Sequence, residues 1–315
     1  MPEKSPVAHR QTTAYSPDWL GILILTLPSL FWAGNFVFGR AVHDTLPPFT
    51  LSFSRWLIAT LILMPFAWKN LKAGKALYWQ YRWRILGLAL LGAAAFNALV
   101  YLGLRTTTAT NGVLLNSFAP ILIVLWGVLF YKQRTNFIQI AGLLISFTGV
   151  IIIVLQGHWQ NFLSLQFNKG DIIILAAVIC WSVYTLWLRV LPVQMNKIGL
   201  TAIQFAIAAM LIFPFALMEY IHGNRPVWTP VSMLAIAYIG VFPSVLAFLL
   251  YTLGVARVGA ARAGLFLHLM PVFGALLSTV FLKEDLHLYH LLGITSILTG
   301  IALSSYGAKK IANAL

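Results

Sequence analysis

Residues 254–284 read GVARVGAARAGLFLHLMPVFGALLSTVFLKE, an apolar run that begins with small residues and ends at Lys283 and Glu284. As a helix, such a run is long enough to cross the ~30 Å hydrocarbon core of a bilayer. Pro271 lies near its middle, where a proline removes one backbone hydrogen bond and clashes with the preceding turn. A membrane helix tolerates this break where neighbouring helices satisfy the freed carbonyl group or where it lines a cavity.

A second stretch of the same design runs from Gly103 to Gln133, with Pro120 in the place of Pro271. Two interrupted helices at matching positions in two halves of a chain indicate a transporter binding site. We therefore predict that Pro120 and Pro271 break two helices beside a site for a small molecule.

The composition excludes an ordinary soluble domain. Of the 315 residues, 60% are apolar and 9% are charged, whereas soluble domains have about 25% charged residues. The net charge of +14 is spread between apolar runs, which is typical of membrane topology signals and not of nucleic-acid binding. The single cysteine, Cys180, excludes an intrachain disulfide and a cysteine-cluster metal site.

The sequence also lacks several catalytic motifs. No P-loop, H-E-x-x-H or G-x-S-x-G pattern is present, so ATP hydrolysis within the chain and intramembrane hydrolysis lose their usual sequence support. We predict no enzymatic activity, no catalytic residue, no metal and no cofactor.

Ten apolar runs of roughly twenty residues predict an all-α polytopic membrane protein. Residues 1–18 are expected to be a disordered tail and residues 308–315 a second tail. The predicted spans are residues 19–40, 48–68, 84–104, 110–131, 137–155, 171–191, 197–220, 231–253, 261–282 and 288–307.

The distribution of Lys and Arg predicts the orientation of these spans. Fifteen of the 21 Lys and Arg residues lie in segments on the N-terminal side of the membrane, and Arg55 lies inside a span. The remaining five lie on the opposite side: Arg40, Arg105, Lys169, Arg225 and Lys283. Since basic residues concentrate on the cytoplasmic side, we expect both termini in the cytoplasm and a multi-pass protein of the cell (inner) membrane.

The two halves of the chain resemble each other. An offset of 151 residues aligns Pro120 with Pro271, and an offset of 149 aligns Trp32 with Trp181. Chance matches within apolar sequence are the alternative explanation, although shared Pro, Gly and Trp positions do not follow from a Leu and Val bias. Because each half has an odd number of spans, residues 19–157 and 158–307 are predicted to be five-helix repeats of opposite orientation, which can enclose a midplane site and permit alternating access.

Several motifs resemble those of the EamA-type branch of the drug/metabolite transporter superfamily, over residues 19–307. The matching positions are FWAGNF at 31–36 (WG-x-N-F), Pro48 and Arg55 (P-x(6)-R), Pro120 to Gln133 and Pro271 to Glu284 (A-x…P…E), and Gly142, Gly149, Gly293 and Gly300 (G-x(6)-G). Gln133 stands where the motif has glutamate. Within this branch the chain is most similar to YddG-type exporters of aromatic and other amino acids, which implies an amino-acid exporter.

Arg55 and His268 are the two ionisable residues placed to carry function. A charge deep in a span costs about 2.5–3.5 kcal/mol on insertion scales, so it normally faces protein or water. We interpret Arg55 as a contact for a substrate carboxylate; the alternatives are snorkelling to the surface or bonding to helix-end carbonyls. His268 could sense protonation or contact substrate, or it could cap a carbonyl freed by Pro271.

Other candidates for the cavity are polar and aromatic side chains within apolar spans. An aromatic pocket suits flat apolar side chains and attracts an ammonium group through cation–π contacts; packing and interhelical hydrogen bonding are the alternatives. These candidates are Asn35, Asn97, Asn116, Ser117 and Ser244, together with Trp32, Tyr101, Trp181, Tyr184 and Tyr251.

The acidic residues all fall at predicted helix ends or in the tail, so no buried carboxylate relay for protons is visible. We therefore expect facilitated export of amino acids and related small metabolites, or coupling through His268. Export of lipophilic cations or drugs, of nucleotide-sugars, or a role as a membrane enzyme or assembly subunit are the alternatives. The expected partners are a small-molecule substrate and the lipid bilayer, without nucleic acid, and the expected state is a monomer.

Overall fold

The computed structural model describes residues 19–158, 160, 168–282 and 287–313, and these residues form helices and turns without a strand. Within these described residues, ten helices are long and apolar enough to cross a membrane, which confirms the predicted all-α polytopic fold. They are α1 Leu20–Ala41, α2 Pro48–Ala73, α3 Arg82–Gly103, α4 Asn111–Tyr131, α5 Phe137–Val154, α6 Lys169–Leu188, α7 Lys197–Ile221, α8 Pro230–Val258, α9 Ala260–Leu277 and α10 Leu288–Ala308.

Some helices extend beyond their predicted spans. The helix of α2 continues to Ala73, and that of α10 continues to Asn313, so most of the predicted C-terminal tail is helical. Hydropathy marks where a helix leaves the hydrocarbon, but a helix continues as long as good helix formers follow. The predicted tail 1–18 lies outside the described residues.

Two helices show how the carboxylates are used. Asn168 and Asp171 form a capping box at the start of α6, which satisfies backbone N–H groups that would otherwise have no partner. The start of α2 has no cap of its own. Instead, Glu219 from the end of α7 accepts hydrogen bonds from Phe49 N and Thr50 N, so one half of the chain caps a helix of the other.

The halves have opposite orientations. Arg40 Nη1 at the end of α1 donates to Leu104 O at the end of α3, which places both ends at one face. Thr107 Oγ1 at the same face donates to Asp171 in the first turn of α6. Since α6 begins at the face where α1 ends, the second half starts from the opposite side, as predicted.

Glycines allow the last helices of the two halves to pack closely. Gly142 of α5 lies against Gly300 of α10, and Gly149 lies against Gly293. As the residue number rises along α5, the number of the contacted residue falls along α10, so the two helices run antiparallel. A Cβ atom on Gly149 would lie 2.6 Å from Gly293 O, so a larger residue cannot replace it without moving the helices apart.

Interruptions of the helices recur at matching positions. A π-helix covers Ala89–Ala95 in α3 and another covers Gly240–Leu246 in α8, 151 residues apart. In α4 the helix stops at Asn116 and resumes at Ala119, so Pro120 occupies the first turn of the second segment. In α9 a 3₁₀ turn, Phe266–His268, precedes the segment that contains Pro271. Because π-helices often occur at functional sites, their matching positions in the two halves indicate a site in the centre of the helix bundle.

Candidate transport site

Arg55 is the centre of a polar cluster in the middle of the bundle. Its side chain is 0% exposed. Nε donates to Ser244 Oγ at 2.8 Å, and Nη1 lies 2.5 Å from Asn97 Oδ1, 2.6 Å from Tyr101 Oη and 3.2 Å from Asn35 Oδ1. We call these five residues the Arg55 cluster. It joins α1, α2, α3 and α8, and all five were predicted as site residues.

The members of the cluster also hold one another. Tyr101 Oη donates to Asn35 Oδ1 at 2.7 Å, so its oxygen can accept from Arg55. Ser244 lies in the π-helix of α8 and its Oγ donates to Ile239 O, just before that π-helix. Asn97 Nδ2 lies 3.2 Å from Ala93 O in the π-helix of α3. The π-helices therefore position the acceptors that surround the guanidinium.

Arg55 does not reach the membrane surface. Snorkelling, one of the alternatives from the sequence, is wrong, because the guanidinium is completely buried and lies 4.6 Å from the centre of the Trp56 ring. Bonding to helix-end carbonyls is also wrong, since every acceptor found for it is a side chain. Within the described residues Nη2 has no hydrogen-bond partner.

Four of the predicted aromatic residues form a second cluster beside the first, together with Phe248, which the sequence interpretation missed. The ring of Trp32 packs edge-on against that of Trp181, with 5.1 Å between the ring centroids, and its centroid lies 5.2 Å from that of Tyr251. Trp181 also contacts Tyr184 at 5.0 Å and Phe248 at 5.4 Å. We call Trp32, Trp181, Tyr184, Phe248 and Tyr251 the aromatic cluster. It brings α1, α6 and α8 together.

A small central cavity lies between the two clusters. Its volume is about 10 Å³, which is about the space that one water molecule requires. Its lining residues are Trp32, Asn35, Phe36, Phe96, Asn97, Asn116, Trp181, Leu267 and Met270. Asn35 and Asn97 face the cavity and accept hydrogen bonds from Arg55, so the guanidinium lies directly behind this wall. Any larger molecule requires the helices to separate.

His268 and Ser117 lie apart from the Arg55 cluster. His268 Nε2 is 3.0 Å from Ser117 O, and Nδ1 is 2.8 Å from Ser146 Oγ. Because a carbonyl only accepts, Nε2 carries a proton, and Nδ1 can accept from the Ser146 hydroxyl. His268 thus caps a carbonyl at the break of α4, and an offset of 151 residues makes His268 and Ser117 each other's counterparts.

The sequence interpretation missed several buried polar residues of α2 and α7. Gln204 is 1% exposed, and Ser52 and Thr201 are buried as well. The offset of 149 that aligns Trp32 with Trp181 also aligns Arg55 with Gln204 and Ser52 with Thr201. That offset was the signal that could have revealed them.

Ten helices in two inverted halves, closed around a polar and aromatic centre, define a multi-pass membrane protein of the inverted-repeat transporter class. The sequence model of the EamA-like transporter family matches the chain twice, at residues 19–155 and 168–306. The chain belongs to this family, and it is a membrane transporter.

Curated relatives support the same assignment. An uncharacterized transporter of Archaeoglobus fulgidus is 31% identical over 284 residues, covering 90% of this chain and 96% of the relative. The uncharacterized transporter YetK of Bacillus subtilis is 28% identical, covering 87% of this chain and 83% of its own. YcxC of Bacillus subtilis, also an uncharacterized transporter, is 27% identical over 96% of both chains.

The fold is shared with a solved crystal structure of a protein that is 20% identical. The TM-score is 0.69, and the match covers 90% of this chain and 97% of that one.

Proposed function

We propose that this transporter exports amino acids, including aromatic ones, and related small carboxylates across the cytoplasmic membrane. The observation that supports the proposal is the Arg55 cluster. It places a guanidinium in the bundle centre with neutral acceptors and, among its described hydrogen-bond partners, no carboxylate. Arg binds carboxylates in a bidentate way, so a substrate carboxylate would supply the missing negative charge.

The hydrogen bonds of Arg55 allow a substrate carboxylate to replace one of its present acceptors. Nη1 has two protons but three acceptors, of which Asn35 Oδ1 is the farthest. A carboxylate could replace Asn35 on Nη1 and occupy Nη2, which has no partner among the described residues. Asn35 would keep its bond from Tyr101.

The walls of the cavity suit the rest of an amino acid. Trp32, Phe96 and Trp181 offer apolar ring faces, and Asn116 Oδ1 has no hydrogen-bond partner among the described residues. An amide oxygen and ring faces can together hold an ammonium group. This combination supports the similarity to YddG-type exporters that the sequence motifs imply.

We propose that transport occurs by alternating access of the repeats 19–157 and 158–307. The closed cavity and the inverted halves support this mechanism, because one bundle can rock against the other around a fixed site. Among the described spans the acidic side chains, Asp171 and Glu219, lie at helix ends and cap helices. Since neither faces the centre, we propose facilitated diffusion without a proton relay, and no catalytic role for the site.

We propose that the protein lies in the inner membrane with both termini cytoplasmic, and the excess of Lys and Arg on the N-terminal side supports this orientation. A Cys180→Ala background with a single cysteine at Val193 or at Asn224 tests it. Val193 should react only with a cytoplasmic thiol reagent, and Asn224 only with an external one. The reverse labelling pattern would overturn the orientation.

Counterflow in proteoliposomes with a panel of the twenty amino acids tests the substrate. We expect saturable uptake of several apolar and aromatic amino acids. A correctly folded protein that moves none of them would refute the amino-acid proposal.

The aromatic cluster favours one alternative, a carrier of lipophilic cations. Ring faces attract such cations, but the positive charge of Arg55 directly behind the cavity wall repels them. Uptake of tetraphenylphosphonium without any amino-acid flux would favour this alternative.

A further inference from the structure

The two-fold relation of the halves places a second polar group opposite Arg55. Gln204 of α7 is its counterpart at an offset of 149, and the following residues, Trp56 and Phe205, are counterparts as well. The rings of Trp56 and Phe205 pack against each other at 4.8 Å. The pseudo-two-fold axis therefore passes between α2 and α7, and Arg55 and Gln204 flank it on opposite sides.

The repeat offsets also assign the neighbours of Gln204. Tyr184 corresponds to Asn35 by the offset of 149, and Thr252 corresponds to Tyr101 by the offset of 151. Phe248, the counterpart of Asn97, packs against Phe205 at 5.7 Å and against Tyr184 at 6.1 Å. We call Tyr184, Thr201, Gln204 and Thr252 the Gln204 cluster.

Like Nη2 of Arg55, several groups of this second cluster have unused hydrogen-bonding capacity. All four side chains are at least 97% buried. Four of its atoms have no hydrogen-bond partner among the described residues: Gln204 Nε2, Thr201 Oγ1, Tyr184 Oη and Thr252 Oγ1. Buried polar groups without partners are unfavourable, so a molecule that supplies the partners would be held here.

We propose that the Gln204 cluster binds the uncharged hydrogen-bonding end of the transported molecule, a hydroxyl, phenol or amide group. This inference rests on the proposed function, in which Arg55 holds the carboxylate. The cluster has an amide and three hydroxyls but no charge, so it matches a neutral donor and acceptor group and does not match a second carboxylate. The aromatic cluster, which shares Tyr184, covers the apolar part of the molecule between the two ends.

Pairs of amino acids that differ by this group test the inference. A site built to hydrogen-bond a substrate hydroxyl discriminates strongly against the analogue that lacks it. In proteoliposomes, tyrosine should be transported with a kcat/KM at least about tenfold above that of phenylalanine, and threonine should exceed valine in the same way.

Gln204→Leu and Thr252→Val should each reduce the tyrosine to phenylalanine ratio to below about three, because the hydroxyl loses its partner. A ratio within one variant is independent of how much protein folds. Ser182→Ala is the matched control: its buried hydroxyl donates to Val178 O in its own helix at 2.8 Å and lies 3.4 Å from Ala119 O of α4. Neither acceptor belongs to the Gln204 cluster, so the ratio should stay at the wild-type value.

The outcomes separate this inference from the proposed function. Amino-acid flux with a wild-type ratio near one, or a ratio that neither variant changes, overturns the Gln204 inference and leaves Arg55 untouched. Absence of flux for every amino acid refutes the proposed function and the inference together. If Gln204→Leu does not fold, the ratio in Thr252→Val decides.

Discussion

Replacing Arg55 with methionine should separate the stability of the protein from its transport activity. Each neighbour of the guanidinium has a further hydrogen bond: Tyr101 donates to Asn35, Ser244 to Ile239 O, and Asn97 to Ala93 O. Removal of the guanidinium therefore leaves every side chain of the cluster with one hydrogen bond, although Asn97 Oδ1 loses the donor that Arg55 supplies. It also removes a buried charge, which costs about 2.5–3.5 kcal/mol in a membrane. We expect an equal or higher thermal unfolding midpoint for Arg55→Met.

Transport should fall in the same variant. The carboxylate gains two charge-assisted hydrogen bonds, from Nη1 and Nη2, but one of them replaces the existing bond to Asn35. The net gain is one such bond, about 1.5–3 kcal/mol. Since 1.4 kcal/mol is tenfold, kcat/KM should fall by roughly 10- to 140-fold.

The assay is counterflow of labelled phenylalanine at concentrations below KM, with the thermal midpoint measured on the same preparation. Arg40→Met is the matched control, because Arg40 bonds to Leu104 O at the membrane face and not at the centre. Folded Arg55→Met protein with kcat/KM within threefold of the wild type would refute the role of Arg55 in binding.

Three further predictions test the packing and the capping bonds. His268→Ala should lower the free energy of unfolding by about 1–3 kcal/mol, because Ser117 O is left buried without its donor. The pH dependence of flux should stay as in the wild type. An unchanged thermal unfolding midpoint together with a flattened pH profile would instead indicate proton coupling. Gly149→Ala should lower the free energy of unfolding by about 1–3 kcal/mol through overpacking. Its control, Gly274→Ala, has open space for a Cβ atom and should be neutral or slightly stabilising. Equal thermal unfolding midpoints of the two variants would contradict the close helix contact. Glu219→Gln should lower stability by about 0.5–2 kcal/mol, since the carboxylate caps the first turn of α2, and a thermal shift assay that finds no change would exclude that cap.

The ten spans could be predicted from sequence because crossing a bilayer imposes a length and an apolar composition that each span shows locally. The ends could not be predicted as well. The helix of α2 continues to Ala73 past Lys69 and Lys72, since leaving the hydrocarbon does not unwind a helix. The opposite orientation of the halves was predicted by counting spans. The contacts of Gly142 with Gly300 and of Gly149 with Gly293 show that the last helices of the two halves run antiparallel.

The site was less accessible to sequence. Arg55 could be predicted as a site residue because a charge within an apolar span is unfavourable unless it faces protein or water. The hydrogen bonds of Arg55 could not be predicted, because its four partners come from three other helices and are positioned by two π-helices. The segment Ala89–Ala95 reads ALLGAAA and contains no local signal for a π-helix. Gln204 was not predicted because its side chain is neutral, although the repeat offset of 149 aligns it with Arg55. The partners of His268 depend on how α4 and α5 pack against α9, which no local pattern encodes.

The most direct test of the central claim, that Arg55 holds the carboxylate of the transported molecule, compares phenylalanine with phenethylamine, which has the same ring and amine but no carboxylate. In counterflow with the wild-type protein we predict saturable uptake of phenylalanine and none of phenethylamine, and a loss of phenylalanine uptake in Arg55→Met. Equal uptake of both molecules, unchanged by Arg55→Met, would contradict the claim.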